Sequence, residues 1–92
     1  MAERPRVLVL DPGDNVAVAT VALAVGEVVL DVRVREAIRF GHKLALRDIA
    51  AGEAILKYHE VIGRASSDIA AGDHVHVHNV VSARLPGPGV AA

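Results

Sequence analysis

Apolar residues run through this chain in short stretches, cut at close intervals by glycine, proline and acidic residues. Valine dominates the stretches, and β-branched side chains pack well on a pleated surface. Arg6 to Leu10 reads as a first strand, with Val7, Leu8 and Val9 apolar. Asp11-Pro12-Gly13-Asp14 reads as a turn, with Asp14 placed to cap a helix. Asn15 to Leu23 is rich in alanine and valine and predicts a short buried helix, a strand being the competing assignment. Glu27 to Val34 alternates as a strand does, while Arg35 to Phe40 carries no clear pattern. Further strands are predicted at His42 to Leu46, Ala54 to Tyr58, Val61 to Ala65 with Gly63 at a bulge, and Asp73 to Val81. From Leu85-Pro86-Gly87-Pro88-Gly89 onward the breakers predict a mobile tail. The pattern therefore predicts an all-β domain over residues 1–84, barrel-like or sandwich-like, with one short helix near the N-terminus and single helical turns, and a tail over 85–92.

One segment recurs. Asp48-Ile49-Ala50-Ala51-Gly52-Glu53 returns as Asp68-Ile69-Ala70-Ala71-Gly72-Asp73, and Ala24-Val25-Gly26-Glu27 is a weaker copy. The expected device is a helical turn capped by Asp48 or Asp68, with Ile49 or Ile69 plugging the core. Gly52 or Gly72 then supplies the positive φ that ends the turn. Two clean copies are too few for a stacked repeat.

Composition narrows the function. The chain has 92 residues, enough for one small domain and too few to enclose a substrate pocket alone, so a partner chain or self-association is expected. Aromatics are 2% of the residues, Phe40 and Tyr58 alone, so the core has to be built of Val, Ile, Leu and Ala. A net charge of -1 gives no field to attract nucleic acid, and there are no aromatic platforms to stack bases. There is no cysteine, hence neither disulfide nor thiolate metal site. No apolar run reaches the roughly 18 residues of a membrane span, and a cytoplasmic location is the expectation. No P-loop, nucleophile elbow or His-Glu-x-x-His helix is present.

The chemistry concentrates in His74-Val75-His76-Val77-His78, closed by Asn79. In an extended strand residues i, i+2 and i+4 share a face, which lines up three imidazoles with Val75 and Val77 opposite. Histidine is the commonest metal ligand and titrates near neutrality. The outer pair would be about 13 Å apart on a flat strand, so an ion would use two of His74, His76 and His78 plus another ligand. His42, His59 or a carboxylate from another chain are the candidates. The plainer alternative is the polar face of an exposed strand. Gly41-His42-Lys43 is a second cluster, where Lys43 suits a carboxylate and serves as a base when desolvated. Tyr58 is expected in packing, and Glu53 and Asp73 in water at strand starts.

Several motifs, in order and with matching spacing, resemble one family. They are Asp11-Pro12-Gly13-Asp14-Asn15-Val16-Ala17, then Gly41-His42-Lys43-Leu44-Ala45-Leu46-Arg47-Asp48-Ile49, Gly52-Glu53, Lys57-Tyr58, Val61-Ile62-Gly63-Arg64-Ala65, Asp68-Ile69, and Gly72-Asp73 through His78-Asn79. Over residues 6–81 the chain resembles the N-terminal SAF-type domain of altronate/galactarate dehydratases. The resemblance implies a β-clip fold. It implies a carbon–oxygen hydro-lyase component that, with a large catalytic subunit or domain, turns a sugar acid into a 2-keto-3-deoxy acid. It implies a divalent metal in the complete enzyme, iron(II) or manganese. The residues it carries over are His42, Lys43 and His76 as catalytic, Lys43 and Asn79 at the substrate, and two of His74, His76 and His78 at the metal. His59 departs from it, standing where glycine is expected after the tyrosine. A related two-subunit enzyme, sulfolactate sulfo-lyase, expels sulfite in place of water and is the alternative. Two others are a carbohydrate- or partner-binding module without catalysis and a plain metal-binding or structural domain.

Overall fold

A computed structural model describes residues 5–82. Those residues form nine strands and, among them, no helix. The strands are β1 (Val7–Leu8), β2 (Val16–Ala19), β3 (Val28–Val29), β4 (Val32–Arg33), β5 (Lys43–Ala45), β6 (Ala54–Lys57), β7 (Glu60–Ala65), β8 (His74–Val75) and β9 (Val80–Ser82). They pair antiparallel throughout, in three small sheets ordered β1-β2-β5-β8, β3-β4 and β6-β7-β9, a convoluted all-β arrangement consistent with a β-clip. The expected tail over 85–92 lies outside the described residues.

The expected N-terminal helix is strand β2. Val16, Ala17 and Ala19 are all buried, because β2, an inner strand between β1 and β5, packs Val16 into one apolar cluster and Ala17 and Ala19 into the other. A strand covered on both faces loses the apolar–polar alternation and cannot be told from a buried helix by periodicity. Asp14 accordingly caps no helix. Its carboxylate accepts the main-chain N–H groups of Tyr58 (2.7 Å) and His59 (2.8 Å), 44 and 45 residues away. Those two residues have φ of 55° and 67° and close the β6–β7 hairpin, a two-residue turn of the kind that needs positive φ at both positions. Burial alone would push the Asp14 carboxyl up. The main-chain groups of His59, Tyr58 and Asp11 outweigh it, and the carboxyl sits below its ordinary 3.8. The folded pKa is thus the lower one, so Asp14 stabilises the fold above about pH 4 and that contribution is lost as pH falls through the folded value. Acid unfolding followed by circular dichroism is expected to include the loss of this contribution below about pH 4, and Asp14→Asn is expected to be less stable at pH 7 and to lack that part of the pH dependence.

The expected strand from Glu27 to Val34 is a hairpin, β3 and β4 joined by Leu30 and Asp31 at φ 48° and 64°. Asn-Gly fits such a turn; a leucine there strains the backbone by about 1–2 kcal/mol. Leu30 is also 60% exposed, so its side chain returns little by packing. Leu30→Asn is expected to stabilise the chain by about 1 kcal/mol, raising the melting temperature by about 4–8 °C in a calorimetric scan.

The repeated segment is a β-turn. In each copy the residue after glycine donates its N–H three residues back: Glu27 to Ala24 (3.1 Å), Glu53 to Ala50 (2.9 Å) and Asp73 to Ala70 (2.9 Å). The glycine third in the turn has φ between 86° and 94° in these copies, which fits a type II turn. The acid that follows reaches back onto the first N–H of its own turn, so Glu53 and Asp73 are structural groups and not idle surface charges. Asp48 and Asp68 do not cap their own turns. Each crosses to the other copy, Asp48 to the Ala71 N–H and Asp68 to the Ala51 N–H, both at 2.9 Å, around a bridge between Ile49 and Ile69. Those two isoleucines do plug the core, in a cluster with Val16, Ala45, Ile55 and Val75. A second cluster gathers Ala17, Leu23, Val34, Ile38 and Leu44 on the other side.

The bulge falls beside the predicted place. Ile55 opposes Gly63 while Leu56 opposes Val61, leaving Ile62 as the extra residue. Gly63 serves a close approach instead: a Cβ there would lie 2.3 Å from the Val81 carbonyl oxygen of β9.

Candidate functional site

Leu23 and Ile38 form a bridge like that of Ile49 and Ile69, and the segment after Ile38 is a fourth copy of the turn, Arg39-Phe40-Gly41-His42. Gly41 has φ 83° and the His42 N–H donates to the Arg39 carbonyl (2.9 Å). In the other three copies the last residue is an acid folded back on its own turn. Here it is an imidazole, and it turns outward to meet the C-terminal histidines. His42 Nδ1 lies 2.8 Å from His74 Nε2.

The histidine stretch is not one strand. Pairing with β5 ends at Val75, and residues 76–79 turn back on themselves, the Asn79 N–H donating to the His76 carbonyl (3.1 Å). Val75 is buried as expected, but Val77 is 80% exposed at the turn. The rings gather nonetheless. His42 and His74 have centroids 5.0 Å apart and planes 13° apart; with a 2.8 Å nitrogen–nitrogen contact they meet edge to edge, one ring donating an N–H and the other accepting. His76 lies over the face of His42, centroids 3.9 Å apart and planes 11° apart. His78 is exposed and reaches only His74, at 5.1 Å.

One ring nitrogen each from His42, His74 and His76 lie within 4.8 Å of one another. Two nitrogens on a tetrahedral ion at about 2.1 Å stand about 3.4 Å apart, so the set is close to ligand spacing. The His76 ring has to swing out of its stack, because lone pairs of parallel rings do not converge. Its Nδ1 is buried and has no hydrogen-bond partner. Burial holds His74 and His76 below their ordinary value. For His74 the charges of His78, His42 and His76 add to this and Glu36 opposes it; for His76 the charges of His42, Lys43 and His78 add to it. Both imidazoles are therefore neutral at pH 7, the state a ligand or a general base needs. The residues fit a divalent transition metal. His42 joins two of the three C-terminal histidines, while His59 is far off, 3.4 Å from Asp11 and 86% exposed.

Lys43 is the first residue of β5, paired with Val18 and Val75. It is partly buried, and burial, with the Lys57 charge second, lowers its pKa. With His76 it lines a recess of about 200 Å³ whose other walls are Ile62, Val77, Val80 and Ser82. Tyr58 sits at the hairpin turn under the Lys57 ammonium, 4.9 Å from the ring centre. Asn79 is buried, and its amide bonds main chain at both ends: Nδ2 donates to the His74 carbonyl and Oδ1 accepts the His76 N–H, each at 2.9 Å. Glu36, which the sequence reading passed over, accepts the His74 N–H at 2.8 Å. No helix among the described residues is long and apolar enough to cross a membrane.

Comparisons with known proteins point the same way. The altronate dehydratase of Escherichia coli strain K12 is 54% identical over 70 residues, covering 72% of this chain and 14% of that enzyme. That of Bacillus subtilis strain 168 is 41% identical over the same shares. The (2R)-sulfolactate sulfo-lyase subunit alpha of Chromohalobacter salexigens is 51% identical over 55 residues, 60% of this chain and 58% of that subunit. The chain thus spans about a seventh of the dehydratases' length and somewhat over half of the sulfo-lyase subunit's. The model of the altronate/galactarate dehydratase SAF domain matches residues 5–83, and the chain belongs to that family.

Proposed function

We propose that this chain is the SAF-type component of a sugar-acid hydro-lyase of the altronate/galactarate kind, acting with a larger catalytic subunit or domain. The observation that carries the reading is the meeting of His42, His74 and His76, the last of which lines one small recess with Lys43. A 200 Å³ recess open to solvent is half a site; the rest is expected from a larger catalytic subunit or domain, which the small share of the dehydratases that this chain spans supports.

Loss of water from a hydroxy acid breaks an α C–H and a β C–O bond. The base keeps the proton, the hydroxyl leaves as water after taking a proton from an acid, and the resulting enol becomes the 2-keto-3-deoxy acid. His76, neutral and close to Lys43, suits the base. The His42–His74 pair suits the acid in its protonated form, with one added proton shared between the facing nitrogens. Lys43 suits the substrate carboxylate. A bound divalent metal would supply Lewis acidity against the developing negative charge. His42, His74 and His76 would hold it in place of these proton-transfer roles, since a coordinated imidazole lone pair takes no proton, and Lys43 would then be the base that is left; an all-imidazole set suits iron(II) better than manganese, which favours oxygen ligands.

The sulfo-lyase reading stands second: identity to that subunit, 51%, lies between the 54% and 41% to the two dehydratases. The same wall serves either leaving group. The chain mixed with the large polypeptide that co-purifies with it from its native cell is expected to consume altronate or galactarate, with neither component active alone. Sulfite release from (2R)-sulfolactate would favour the second reading. No lyase activity on any of these acids would leave a binding module and refute both.

A further inference from the structure

Asn79 holds the main chain of both C-terminal histidines in the cluster. Its Nδ2 donates to the His74 carbonyl and its Oδ1 accepts the His76 N–H. Its own N–H closes the turn onto the His76 carbonyl, and its carbonyl accepts the Ser66 N–H just past the end of β7. The residue is 8% exposed, and each polar atom of its side chain is bonded to main chain. On the other side, the Glu36 carboxylate takes the His74 N–H, so His74 is gripped by a side chain at each end of its peptide unit.

This grip decides where the rings go. Left to pair, the chain would continue as a strand and set the His74 and His76 Cβ atoms about 6.6–7 Å apart on one flat face. The Asn79 amide breaks the strand after Val75 and folds His76 over, onto the face of His42. We propose that Asn79 is the positioning residue of the histidine cluster: it brings the His76 ring to the His42–His74 pair and thereby sets the cluster's affinity for a divalent cation, without touching the ion. The second half rests on the metal-holding role proposed above. Groups that orient ligands in this way are worth about 10–100-fold in metal affinity.

The test uses the full chain and Co²⁺, whose visible absorption reports imidazole coordination, with imidazole ¹⁵N–¹H spectra as a metal-free readout. Wild type is expected to bind Co²⁺ and to show a slowly exchanging proton between His42 and His74. His42→Ala loses both. Asn79→Ala, checked as folded by circular dichroism, is expected to bind Co²⁺ about 10–100-fold more weakly and to shift the His76 ring signals. Asn79→Asp keeps the acceptor for the His76 N–H and loses the donor, so it is expected to fall between the two, and it stands in if the alanine variant does not fold. Wild-type affinity together with unmoved His76 signals in a folded Asn79 variant overturns the proposal. Absence of Co²⁺ binding in wild type, with ring signals that still move in Asn79→Ala, overturns the affinity half and the metal role while upholding the positioning.

Discussion

His76→Ala is expected to reduce turnover of the reconstituted lyase by about 10²–10⁴-fold, the usual contribution of a positioned acid or base. The size follows from how the ring is kept. It is stacked on His42, it lines the recess with Lys43, and its buried Nδ1 is bonded to nothing. An unpaired buried polar atom costs about 1–3 kcal/mol, which a site with no use for it has little reason to retain. Removal of the ring is accordingly expected to leave the melting temperature unchanged or higher while activity collapses. That pairing of outcomes separates a chemical role from a structural one. His78→Ala and His59→Ala are the controls: both rings are exposed, and both variants are expected to stay within a few-fold of wild type. Full turnover by His76→Ala, in an assay with the large polypeptide saturating, would remove this histidine from the mechanism.

How far the chain announced this site depends on the residue. The three C-terminal histidines were legible because alternation with valine is a strand signal, and Val75 does pair and bury as such a strand requires. The break at His76 was not legible, because it comes from the Asn79 side chain competing with the ladder for the same N–H and C=O groups. His42 was found by its neighbours Gly41 and Lys43, though not for its structural reason. Its turn lacks the preceding aspartate of the two clean copies and the closing acid of all three, and the spacing of Ile38 to Gly41 was the remaining signal. The all-β architecture followed from valine content and turn spacing. The misread helix at Asn15 to Leu23 shows where that logic ends: a strand enclosed on both faces is uniformly apolar and carries no period.

Asn15 was read only as the start of that segment, yet its variant is expected to have the largest effect on folding. It is 1% exposed. Its Nδ2 donates to the Ala54 carbonyl (2.8 Å) and its Oδ1 accepts the Leu56 N–H (2.7 Å), so the amide mimics a peptide unit paired against β6. Its main chain continues the same seam, donating to the Leu56 carbonyl (3.2 Å) and accepting from the Leu46 N–H (2.9 Å). The sheet that carries Lys43 and His74 is thereby joined to the β6-β7-β9 sheet that closes the recess with Ile62 and Val80. Asn15→Ala leaves one buried donor and one buried acceptor unpaired, at about 1–3 kcal/mol each. A domain of this size has about 5–10 kcal/mol to lose, so the variant is expected to be largely unfolded at 37 °C and to show a urea midpoint reduced by more than a third. Asn15→Asp keeps the acceptor but buries a charge and sets it against the Ala54 carbonyl, and is expected to be no better. A urea midpoint for Asn15→Ala within a tenth of the wild-type value would mean that the two sheets hold together by apolar packing alone, and that the amide is a passenger at the seam.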